Sequence, residues 1–123
     1  MRTLIIIPLV LLAACSHKPP AGTPERDGIE DLHAQAALAP ETQKLRNLYP
    51  ISPRIIVVHK DVGAWYDWEN NIIYIRDHGD GQNIRFLRHE WQHAIQHAQG
   101  RPMHSDQGEQ EARDAETGEL VIE

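Results

Sequence analysis

The sequence predicts a small α+β domain, and three observations predict it. Apolar residues recur on a helical period through Ile84–Ala98, giving one long central helix. The β-branched run Ile55-Ile56-Val57-Val58 and the stretches Trp65–Trp68 and Ile72–Ile75 read as strands. A second, more polar helix is expected from Gln107 to about Gly118. The sheet is therefore short, one buried strand plus one hairpin, packed on the central helix and a C-terminal one.

With 123 residues the chain holds at most one small domain. Twelve basic residues against eighteen acidic ones, net −6 with neutral His, argue against a nucleic-acid footprint. At the start, Met1-Arg2 precedes an apolar run from Leu4 to Ala14, broken by Pro8. That run is shorter than the roughly 20 residues a membrane-spanning helix needs, and it reads as a secretory signal over residues 1–14. Leu12-Ala13-Ala14-Cys15 resembles a bacterial lipobox, which implies acylation of Cys15, with a palmitate-type chain among the lipids. Cys15 is the only cysteine, so no disulfide can form within the chain. Cleavage before it removes Arg2 and leaves 11 basic against 18 acidic residues, net −7. Ser16, by the same resemblance, implies an outer-membrane anchor facing the periplasm. Residues 15–27, with Pro19, Pro20, Gly22 and Pro24, read as a tether. Residues 28–123 are then the domain.

Within it, Ile29, Leu32, Ala36 and Leu38 fall on an approximate helical period. Pro40 suits the first turn of a further helix with Leu45 and Leu48 on one side, and Pro50 and Pro53 end it. The Ile55–Val58 run lacks alternation, so a strand buried on both faces is expected. Glu69-Asn70-Asn71 turns the hairpin. Asp77–Gly81 is a polar loop in which His78 is an exposed residue, and Asn83 is a plausible N-cap for the central helix. Gly100 closes that helix. Residues 101–108 form a return loop carrying His104, a candidate hydrogen-bond donor to a developing oxyanion.

The central helix has three faces where an ordinary surface helix needs two. Ile84, Leu87, Trp91, Ala94, Ile95 and Ala98 form an apolar stripe, with Arg85, Arg88, Gln92, Gln96 and Gln99 in a polar sector beside it. His89, Glu90, His93 and His97 share a third sector with Phe86. His89 and His93, four residues apart, stand one turn apart and can point two imidazoles at one metal ion. Glu90, between them in angle, can reach a water on that metal and take its proton. This His-Glu-x-x-His pattern is the zinc-hydrolase signature. His97 is read as an outer-layer or exposed residue. Two histidines leave a catalytic zinc short of its usual third protein ligand, so a carboxylate should come from Glu109–Glu116.

Here the chain resembles the gluzincin-type zinc metallopeptidases, in particular the minimal ImmA/IrrE-like domains. In those a Glu in a Glu-Ala-x-x-x-Ala-like second helix completes the site. The Glu111-Ala112 step matches, so the resemblance assigns the third-ligand role to Glu111. It departs from the family at Ala115 and Glu116, where an aromatic residue is absent. The register of larger gluzincins would select Gln110, a poor ligand, and Glu109 is the fallback. Gly63 to Ile75 is similar to the hairpin of those domains, whose edge strand pairs with extended substrate. The resemblance implies a zincin-like fold, a Zn2+ cofactor, Glu90 as catalytic base and a peptide or protein substrate in the cell envelope. Rival readings are a non-catalytic zinc- or partner-binding lipoprotein with a degenerate peptidase fold, or an envelope lipoprotein with no metal. The oligomeric state is not legible in the sequence.

Overall fold

The computed structural model describes residues 30–58 and 63–122; the signal segment, the tether and Cys15 lie outside the described residues. The elements are α1 (Leu32–Ala37), α2 (Ala39–Leu48), β1 (Arg54–Val58), β2 (Ala64–Asp67), β3 (Ile72–Arg76), α3 (Asp80–Ala98) and α4 (Asp106–Ala115). This is the small α+β arrangement expected.

β3 lies in the middle of the sheet, parallel to β1 and antiparallel to β2. The β2–β3 hairpin closes through Asn71 at φ 56°, a left-handed conformation that asparagine tolerates. Asp67 Oδ1 accepts from the N–H groups of Glu69 (3.1 Å) and Asn70 (3.3 Å), which stabilises the turn. Across the ladder Trp65 faces Tyr74, with the rings stacked 4.8 Å apart.

The Ile55–Val58 run is buried on both faces, as its composition predicts. Val57 joins Ile73, Ile75, Leu87, Trp91 and Ile95 in the main core, while Ile56 and Val58 pack with Trp65 and Tyr74 on the other face. Although β1 ends the sheet, α1 and its N-cap cover its edge. The Asp31 N–H donates to Val57 O (2.7 Å), and the Val57 N–H donates to Gln35 Oε1 (2.9 Å).

Of the two leucines on one side of α2, Leu45 is buried and Leu48 is 53 % exposed, because α2 ends there and only Leu45 reaches the core. Two expectations need correction here. Ala98 is exposed at the last turn of α3. Asn83 is not the N-cap of α3, which begins at Asp80 behind Gly79. Instead Asn83 is buried in the first turn, accepting from the His78 N–H (2.9 Å) and donating to Asp77 Oδ1 (2.9 Å).

Two features place α4 against α3. Gly100, at φ 72°, ends α3 with paired bonds from the Gly100 N–H to His97 O and from the Arg101 N–H to Gln96 O. This glycine stop turns the chain back sharply. Gly108 then lets the return loop lie on α4: a Cβ there would come within 2.6 Å of the Pro102 and Met103 carbonyl oxygens. Beyond α4 the chain turns again at Gly118 (φ 101°) and runs along α3. There Gln92 is fully buried, donating to Val121 O (2.8 Å) and accepting from the Val121 N–H (2.7 Å).

Candidate metal centre

α3 and α4 bring three ligand atoms together. His89 Nε2 stands 3.6 Å and His93 Nε2 3.3 Å from Glu109 Oε1, and all three atoms lie within 4.8 Å of one another. An ion holding two ligands at about 2.05 Å with a tetrahedral angle sets them about 3.3 Å apart. Both distances to Glu109 are close to that edge length. His93 Nε2 and Glu109 Oε1 are buried and make no hydrogen bond, a costly condition for a polar atom unless a ligand satisfies it. The donor set, two imidazoles and a carboxylate, is one that could hold a metal ion.

The other atom of each ligand group is held from outside. His89 Nδ1 meets Glu116 Oε2 at 2.9 Å, and His93 Nδ1 meets Gln96 Oε1 at 2.9 Å. Glu109 Oε2 accepts from His104 Nδ1 at 2.8 Å. These contacts settle the tautomers. A carboxylate oxygen only accepts, so His89 Nδ1 carries the proton. The Gln96 amide nitrogen donates to Gly108 O (2.9 Å) and Glu111 Oε1 (3.0 Å), which leaves its oxygen facing His93 as an acceptor. Both Nε2 atoms therefore present lone pairs inward, the arrangement that outer partners impose on metal-binding histidines. Arg85 Nη2 in turn donates to Glu116 Oε1 (3.0 Å), and Arg88 donates to the Glu116 carbonyl (3.2 Å) while clasping Glu41.

Glu90 is 1 % exposed, and its Oε2 makes no hydrogen bond. Burial pushes its carboxyl upward, the His89 and His93 imidazoles pull it down, and Glu109 adds to the rise; the net direction is up. Glu109 goes the other way. Burial works to raise it, but the hydrogen bond from His104 holds it well below the usual carboxylate range.

The carboxylate that lies with His89 and His93 is Glu109, the fallback, and not Glu111, to which the resemblance assigned the third-ligand role. Glu111 is buried outside the cluster, where Arg101 Nη1 (2.9 and 3.2 Å), Gln96 (3.0 Å) and Gln107 (3.2 Å) donate to its carboxylate. Gln110 is exposed and bonds Asp114 (2.9 Å). His97 is exposed one turn beyond His93, against Tyr66 and Trp68 (ring centroids 6.2 and 5.6 Å). His78 is exposed, as expected of a loop residue, with its ring 5.1 Å from Phe86.

Sequence reasoning missed Gln96 and Glu116. Gln96 was placed in a polar sector that suggested solvent, yet it is fully buried. Its position three residues after His93 was the available signal. Glu116 follows Glu109 by seven residues, two turns along the same helical face.

Comparisons with protein-family models, curated proteins and solved structures gave no match.

Proposed function

We propose that the chain is a zinc-dependent peptidase of the gluzincin type, carried on a lipid anchor at Cys15 in the bacterial cell envelope. The observation that carries the reading is the convergence of His89, His93 and Glu109 beside the buried Glu90 carboxylate. When bound, zinc supplies a Lewis acid that polarises a carbonyl and makes water far more acidic. The residues do the rest. His89 and His93 hold the ion with lone pairs fixed by Glu116 and Gln96. Glu90 Oε2, with no hydrogen bond to give up, takes the proton of the attacking water and passes it to the leaving amine.

A peptide substrate is supported by the sheet. β2 lies at the end of the described sheet and packs on α3, so a backbone edge runs beside the metal helix. An extended peptide can add to such an edge through main-chain hydrogen bonds.

The purified mature chain is expected to hold about one zinc and to cut a broad peptide library, with cutting stopped by a chelator and restored by zinc. Zinc bound without cleavage would favour a binding module with a degenerate site. No bound metal would remove the proposal. For the anchor, labelled fatty acid should enter the wild-type chain and be absent from Cys15→Ser; label in both would remove the lipobox reading.

A further inference from the structure

We propose that His104 is a positioning residue that makes Glu109 a one-oxygen ligand, and so keeps a coordination place open beside Glu90. The inference rests on the zinc reading above and deepens it. A carboxylate can offer a metal one oxygen or two. Glu109 Oε1 faces the His89 and His93 imidazoles without a hydrogen bond, while Oε2 is taken by His104 Nδ1 at 2.8 Å. A second Glu109 oxygen on the ion would raise the coordination number above four and crowd the place that a catalytic site reserves for water and substrate.

The return loop is built to deliver this contact. The glycine stop at Gly100 turns the chain, and Arg101 ties the first loop residue to Glu111. The Pro102 and Met103 carbonyls seat against the bare Cα of Gly108. Ser105 caps α4 by accepting from the Gly108 N–H (3.0 Å). His104 is thereby fixed on both sides, with its ring 5.1 Å from that of His93. Its side chain is 50 % exposed, while that of Glu109 is 5 % exposed. The ring therefore reaches from the surface to a buried carboxylate oxygen and ties it down.

The test uses the full mature chain loaded with cobalt(II), whose visible bands are intense when four-coordinate and weak at higher coordination number. Wild type should show the intense bands. His104→Ala should bind cobalt with affinity lowered within the roughly 10–100-fold that loss of an outer partner costs. It should also show the weaker bands of a higher coordination number. His104→Asn offers an amide N–H to the same oxygen and should restore the wild-type spectrum. A His104→Ala spectrum identical to wild type at equal loading overturns the inference and leaves the zinc reading intact. Failure of His104→Asn to restore it overturns the inference too, in favour of simple ring packing on His93. Wild type that takes up no cobalt overturns both.

Discussion

Glu109→Gln is expected to abolish zinc binding, and Glu111→Gln to leave it intact. The two residues lie on one helix and are both buried, yet they do different work. Glu109 Oε1 is the oxygen that completes the cluster with His89 and His93. A neutral amide there removes the only negative charge among the three ligands. Loss of an outer partner already costs about 10–100-fold in metal affinity, so loss of this ligand should exceed about 10²-fold. His89→Ala or His93→Ala should do the same. Glu111→Gln breaks a charge-assisted contact with Arg101 instead, which is a stability effect of about 1–3 kcal/mol. The sign with pH follows from its environment. Burial works to raise the Glu111 carboxyl, but hydrogen bonds from Gln96, Arg101 and Gln107 outweigh it, and the net direction is down. Its contribution is therefore complete above the unfolded glutamate value of about 4.3 and is lost as pH falls through the lower folded value. Zinc titrations and melting curves on the two variants, at neutral and acid pH, separate the roles. Zinc lost in Glu111→Gln and kept in Glu109→Gln would restore the assignment the Glu-Ala step suggests.

Glu90→Gln should hold zinc as tightly as wild type while turnover falls by about 10²-fold or more, the usual scale for losing a general base. Glutamine has nearly the same size but cannot accept the proton. The same change should raise the melting temperature of the metal-free chain. A carboxylate that is 1 % exposed, with an oxygen that makes no hydrogen bond, is a cost to the fold, and a neutral side chain removes the charge. Because the folded value is shifted up, that cost is present at neutral pH and relieved as pH falls. The gain in melting temperature should therefore shrink toward acid pH. Cleavage that survives in Glu90→Gln would place the base elsewhere.

Much of this was legible before the fold. The apolar stripe of α3 is buried through Leu87, Trp91 and Ile95, because a 3.6-residue period leaves few other ways to cover those side chains. His89 and His93 converge for an equally local reason: four residues make one turn. The strand run and the hairpin followed from β-branching and turn chemistry, which act within a few residues.

The third ligand was not legible in that way. On α4 the small residues Gly108, Ala112 and Ala115 mark the seam that packs on α3, and that seam can be read from the sequence. Taking Gly108 as zero, Glu109 and Glu116 lie at about 100° and 80° on one flank, and Glu111 lies at about 60° on the other. Both flanks carry carboxylates, and both are buried. Which flank faces His89 and His93 depends on how α4 crosses α3, set by the glycine stop at Gly100 and the close approach at Gly108. The same crossing buried Gln96 and aligned Glu116 with His89, two roles that no spacing within α3 or α4 alone dictates. Composition and periodicity determined the strands, the core face of α3 and the pairing of His89 with His93, because those depend on neighbours in the chain. Only the tertiary structure decided which carboxylate completes the site, since that is a relation between two helices whose relative placement is a property of their packing.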